Sequence, residues 1–136
     1  MPVVNELLRA DENGTLSFGN YELDAKKKFE DYEFEGNFYK VKTYYELTKL
    51  ERDGMFVYES EPGTAVHGFV QSENGVEFLV SAKDDVQITV GLKEDTEYDV
   101  IVADKSIGKM KTNLSGKLSF SVELTEGEEV KVKIVE

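Results

Sequence analysis

At 136 residues with no Cys, the chain fits one domain or two very small ones, and disulfides, thiol catalysis and Cys-ligated metals are excluded. Its net charge of −12 is spread evenly, with 14 acids and 8 bases in residues 1–62 and the same numbers in residues 63–136. Such a surface repels phosphate backbones and anionic lipid, so neither nucleic acid nor a membrane surface is expected as a partner.

The opening MPVVNELLRADENG lacks the basic patch and apolar core of a signal peptide, and no apolar run approaches the roughly 18 residues of a membrane helix. A cytoplasmic address is the expectation. VNELLRA (4–10) reads as a strand ahead of the DENG turn (11–14), and TLSFGNYEL (15–23) alternates around Leu16, Phe18 and Tyr21. DENG also has a superficial calcium-loop spacing. That reading fails because Arg9 would fill the first ligand position and Asn20 the twelfth, so no metal is expected there.

Residues 29–58 hold nine of the 15 aromatics. Within them, TYYELTKLE (43–51) offers Thr43 as N-cap and Glu46 three residues on, a capping-box spacing that predicts one short helix with Tyr44, Leu47 and Leu50 on a face. An extended reading, with Tyr45, Leu47 and Lys49 alternating, stays open. EPG (61–63) is the one plausible seam, dividing an aromatic-rich β segment (1–62) from a more regular, aliphatic segment (63–136).

Beyond the seam, turns at SENG (72–75), KDD (83–85), KED (93–95), NLSG (113–116) and TEGE (125–128) separate short alternating runs. Leu118, Phe120, Val122 and Leu124 point one way in KLSFSVEL; Val130, Val132 and Ile134 do so in EVKVKIVE, and TEGE is expected to join these two runs as a hairpin. The fold class predicted is all-β, an antiparallel sandwich with one wet face on each sheet.

GLKEDTEYDVIV (91–102) sharpens that expectation. Leu92, Thr96 and Tyr98 have the spacing of a tyrosine corner, in which a Leu ends one strand, the chain crosses between sheets, and a Tyr fills the corner with its hydroxyl on backbone upstream. Residues 64–136 thus resemble immunoglobulin-like and fibronectin type III sandwiches, and are similar to small sandwiches appended to polysaccharide-degrading enzymes, in which a hairpin of the type SIGKMKTNLSGKLSFSVEL occurs. The whole chain resembles a group of small uncharacterised bacterial β-rich proteins, through NGTLSFGNYEL, KLERDGMFVYESEPGTAV and GKMKTNLSGKLSFSVEL; some of that group carry the label "endosialidase".

The residues do not support sialidase chemistry. Only Arg9 and Arg52 could hold a substrate carboxylate, there is no Trp for an Asp-box repeat, and a propeller needs a far longer chain. The lone His67 has no motif placing a nucleophile beside it, and His-based metal sites need two or three imidazoles. Glycine signatures for phosphate are absent, and no cofactor is expected. The expectation is a non-catalytic structural or interaction protein that associates with itself or with another protein. The alternative is a carbohydrate-binding module. Under either, Tyr39, Tyr44, Tyr45 and Tyr58 are the candidate interface or glycan-stacking aromatics.

Overall fold

The computed structural model describes residues 3–136. Among these residues thirteen strands run in chain order: β1 (Leu8–Ala10), β2 (Leu16–Phe18), β3 (Lys27–Phe34), β4 (Asn37–Tyr44), β5 (Leu47–Arg52), β6 (Met55–Glu61), β7 (Ala65–Ser72), β8 (Gly75–Ser81), β9 (Val86–Gly91), β10 (Glu97–Val102), β11 (Lys105–Lys111), β12 (Lys117–Val122) and β13 (Val130–Val135). They form two antiparallel sheets, one ordered β1-β2-β7-β8-β13-β10-β11 and the other β12-β9-β6-β5-β4-β3. Among the described residues no helix is long and apolar enough to cross a membrane.

Period-two patterning explains why the sheets stack. Leu118, Phe120 and Val122 of β12 are buried while Lys117, Ser119 and Ser121 are exposed, and Val130, Val132 and Ile134 of β13 repeat the pattern. Each sheet therefore has one apolar face, and the two faces exclude water by packing on each other. Phe18, Tyr58, Phe69 and Phe78 meet at the centre, with Tyr58 edge-on to Phe18 at 5.3 Å and to Phe78 at 5.6 Å between ring centroids. One cluster of buried side chains draws on both sides of the 62/63 seam, from Leu8 to Ile134. Both sheets also cross the seam, since β2 pairs with β7 and β6 pairs with β9. Residues 63–136 put five strands in the first sheet and only β9 and β12 in the second, which β3–β6 complete.

Three expectations need correction. No helix forms over 43–51. Residues 37–52 are the β4–β5 hairpin, with Thr43 paired to Thr48 and Val41 to Leu50. Non-local pairing outweighs the capping-box signal, because a helix there would leave β6 and β3 without the sheet between them. The extended reading chose the wrong parity as well: Thr48 and Leu50 point inward, Leu47 and Lys49 are half-buried, and Tyr45 sits in the turn. Second, β12 and β13 are not a hairpin. β12 pairs with β9 in one sheet and β13 with β8 and β10 in the other, so TEGE carries the chain between layers. The SIGKMKTN and LSGKLSFSVEL runs separate in the same way, because β11 pairs with β10 through a turn at Ala103 and Asp104, both at positive φ. Third, only Leu8–Ala10 of the 4–10 run is strand, and in 15–23 the strand is Leu16–Phe18 alone, with Ser17 buried like its neighbours where alternation would expose it. Gly19 has φ 98°, and a Cβ there would lie 2.4 Å from the Thr64 carbonyl oxygen, so backbone packs on backbone where this chain leaves its sheet.

Candidate functional site

Of the four candidate aromatics, Tyr58 and Tyr39 are core residues. Tyr58 is fully buried, and Tyr39 lies on the inner face of β4 against Phe34 at 6.1 Å. Tyr44 is half-buried and Tyr45 is 53 % exposed; their rings meet edge to face at 5.4 Å. The structure thus brings Tyr44 and Tyr45 together at the β4–β5 turn and buries the other two in the core.

The Tyr58 hydroxyl ends in a buried polar cluster that the sequence pattern did not reveal. It shares a hydrogen bond of 2.8 Å with Thr64 Oγ1, which shares another of 2.9 Å with Ser60 Oγ. Thr48 Oγ1 accepts the Thr64 N–H at 3.0 Å and donates to the Thr64 carbonyl at 2.9 Å. A hydroxyl has one proton, so the 2.8 Å bond between Thr48 and Thr43 must use the Thr43 proton. Thr43 Oγ1 in turn accepts the Asn20 N–H at 2.8 Å. Donation therefore runs from Asn20 through Thr43 and Thr48 to the Thr64 carbonyl, tying the segment that leaves β2 to the hairpin β4–β5 and to the crossing from β6 to β7. Burial pushes the Tyr58 phenol far above its ordinary pKa, against the smaller opposing effects of Thr64 and Ser60. The cluster is sealed from solvent.

Just outside it lies a cleft of about 850 Å³, with Tyr21, Tyr45, Pro62 and Gly63 among its walls and Glu22, Asp24, Lys83 and Asp84 around them. Three backbone segments lock to build it. Tyr45 N–H donates to the Leu23 carbonyl at 3.0 Å, and Gly63 N–H donates to the Tyr45 carbonyl at 3.0 Å. A Cβ at residue 63 would fall 2.0 Å from the Tyr44 carbonyl oxygen, so only Gly permits this approach. Tyr21 is buried, and that burial, then the Glu22 and Glu126 carboxylates, push its hydroxyl pKa up. Glu46 does the same to exposed Tyr45, by charge and by hydrogen bonding.

Tyr98 stands at the other end of the sandwich. The chain crosses from β9 in one sheet to β10 in the other over residues 92–96, and the buried Tyr98 ring fills that crossing. Its hydroxyl accepts the Lys93 N–H at 3.2 Å. Thr96 Oγ1 donates to the Glu94 carbonyl at 2.7 Å, and half-buried Leu92 packs against the core. Thr112 fastens the crossing from below, accepting the Thr96 N–H at 2.9 Å and donating to the Lys93 carbonyl at 2.6 Å.

The sheet edge at β3 carries the remaining exposed aromatics. Its hydrogen-bonded strand neighbour among the described residues is β4; beyond its other edge β1 comes near, and the Tyr32 hydroxyl accepts the Ala10 N–H of β1 at 2.9 Å. Phe29 is 37 % exposed beside Tyr32 at 5.5 Å, and Phe38 on β4 is 52 % exposed. The register shifts between Phe29 and Tyr32, where Asp31 takes φ 57°. His67 lies half-buried on β7, opposite Leu79.

Comparison of the chain with protein-family models, with curated proteins and with solved structures finds no match.

Proposed function

We propose that this chain is a non-catalytic interaction module that self-associates through the free edge of β3. One observation carries the reading: that edge is complementary to itself. Lys26, Lys27 and Lys28 lie at its start, Glu30, Asp31 and Glu33 at its end, and exposed Phe29 between them. Antiparallel pairing about a two-fold axis at Phe29 sets Lys28 of one copy against Glu30 of the other and Lys27 against Asp31, with the two Phe29 rings adjacent. An unpaired strand edge offers its backbone groups to such a partner.

The bulge after Phe29 limits continuous pairing to a short stretch, and Lys28 and Lys40 already contact Glu30 at 3.6 and 3.8 Å within one chain. Association is therefore weak, with a Kd on the order of 100 μM for an interface below the standard size. Sedimentation equilibrium up to millimolar concentration tests it. The wild type dimerises. Lys27→Glu with Lys28→Glu abolishes the dimer, and adding Glu30→Lys with Asp31→Lys restores it. A wild type that stays monomeric, or a charge reversal without effect, refutes the reading. The carbohydrate-binding alternative is left with Tyr44 and Tyr45, since Tyr39 and Tyr58 are buried.

A further inference from the structure

The cleft beside Tyr45 is remote in kind from the β3 edge and carries an independent inference. Its carboxylates, Glu22, Asp24 and Asp84, outnumber its single ammonium, Lys83, so three negative charges against one positive leave −2 at its rim. All four side chains are exposed, and the Glu22 and Asp24 carboxylates make no hydrogen bond or ion pair among the described residues. The walls they surround are aromatic and apolar: the accessible Tyr45 ring, the Tyr21 ring and Pro62. An aromatic face attracts a cation through its quadrupole, and carboxylates around it add to the attraction. The molecule already shows that pairing next door, where Lys26 Nζ lies 5.6 Å from the centre of the Tyr44 ring. The same charges repel phosphate, sulfate and carboxylate ligands, and a neutral sugar would gain nothing from the excess of negative charge.

We infer that this cleft binds an aliphatic ammonium group, its alkyl stem lying on Tyr45 and Pro62 and its charge facing Glu22, Asp24 and Asp84. A free diamine and a lysine side chain both offer this chemistry. The cleft is held open by backbone contacts that the Tyr45 ring does not make, so the ring can be changed without changing the frame.

The test is an NMR titration of the full chain with cadaverine, with N-acetyl-lysine methylamide and with cellobiose. Cadaverine should shift the amides of residues 21–24, 44–46, 63 and 83–84 together, and Tyr45→Ala should weaken that binding about fivefold or more while Tyr45→Phe preserves it. Asp24→Asn should weaken it as well, and added salt should weaken it further. Tighter binding of cadaverine than of the blocked lysine assigns the site to free amines; the reverse assigns it to a lysine on a polypeptide. Shifts scattered over acids elsewhere, Tyr45→Ala binding as well as the wild type, no shift with either amine, or cellobiose binding the cleft as tightly as the amines would each overturn the inference. Tyr45→Ala leaves every β3 side chain in place and should leave the sedimentation of the β3-edge dimer unchanged, so the two proposals fail separately.

Discussion

Tyr58 and Tyr98 are both buried rings in the same core, yet the two ends of the sandwich treat their hydroxyls differently. At Tyr58 the hydroxyl meets a side chain: it bonds Thr64 Oγ1, which also bonds Ser60, while the Thr64 backbone is held by Thr48 and through it Thr43, and all of these residues are buried. Around Tyr98, a side chain serves backbone: the hydroxyl takes the N–H of Lys93, a residue exposed on a crossing loop. A group sealed in the core must find its partner in the protein, whereas one at the rim can exchange its partner for water. The cost of removing a hydroxyl should therefore depend on which end it occupies.

The largest effect should come from Thr48→Val. It removes the acceptor of the Thr64 N–H, the donor to the Thr64 carbonyl and the partner of Thr43 in one step, and all three orphans stay dry. A loss of about 3 kcal/mol in urea unfolding is expected; a loss below about 1 kcal/mol would show that the cluster relaxes onto other partners. Tyr58→Phe keeps Thr64 Oγ1 bonded to Ser60, so about 1.5 kcal/mol is expected from the same measurement.

The alkaline limb separates Tyr58 from the rest. Its folded-state pKa is raised above its ordinary 10.0. Above that value the unfolded chain sheds the phenol proton while the folded chain keeps it, so the unfolded state binds fewer protons and stability falls as pH rises. One unit above the ordinary value, this group alone should cost about 1.4 kcal/mol, and the difference between wild type and Tyr58→Phe in urea midpoints against pH should shrink accordingly. An unchanged difference would mean that the phenol ionises within the fold. The smallest effect should be Tyr98→Phe, about 0.5 kcal/mol, because water can take over the Lys93 N–H; a loss equal to that of Tyr58→Phe would erase the contrast between the ends.

The surroundings of Tyr98 were open to reading from spacing because they are local: the Lys93 N–H that its hydroxyl accepts lies five residues upstream, in the same loop as Leu92 and Thr96. The Thr43–Thr48–Thr64 cluster was not, because inward threonines look like outward ones to a pattern that counts apolar residues. The signal was present in parity. Thr43 shares its face with Tyr39 and Val41, and Thr48 shares its face with Leu50. The cleft was hidden for a further reason. Its walls come from residues 21–24, 45, 62–63 and 83–84, which meet only when separate chain crossings are stacked at one end.

By itself the sequence determined the all-β class, the short strands and the inward face of the regular ones, because a strand alternates its side chains with period two whatever lies beside it. It did not determine which sheet each strand joins. β12 and β13 carry the same pattern and are neighbours in sequence, yet they lie in opposite layers. Alternation states which way a side chain points relative to its own sheet and says nothing of the partner across the hydrogen bonds. Only the packing of both layers around Tyr58, Phe18, Phe69 and Phe78 chose between a hairpin and a crossing.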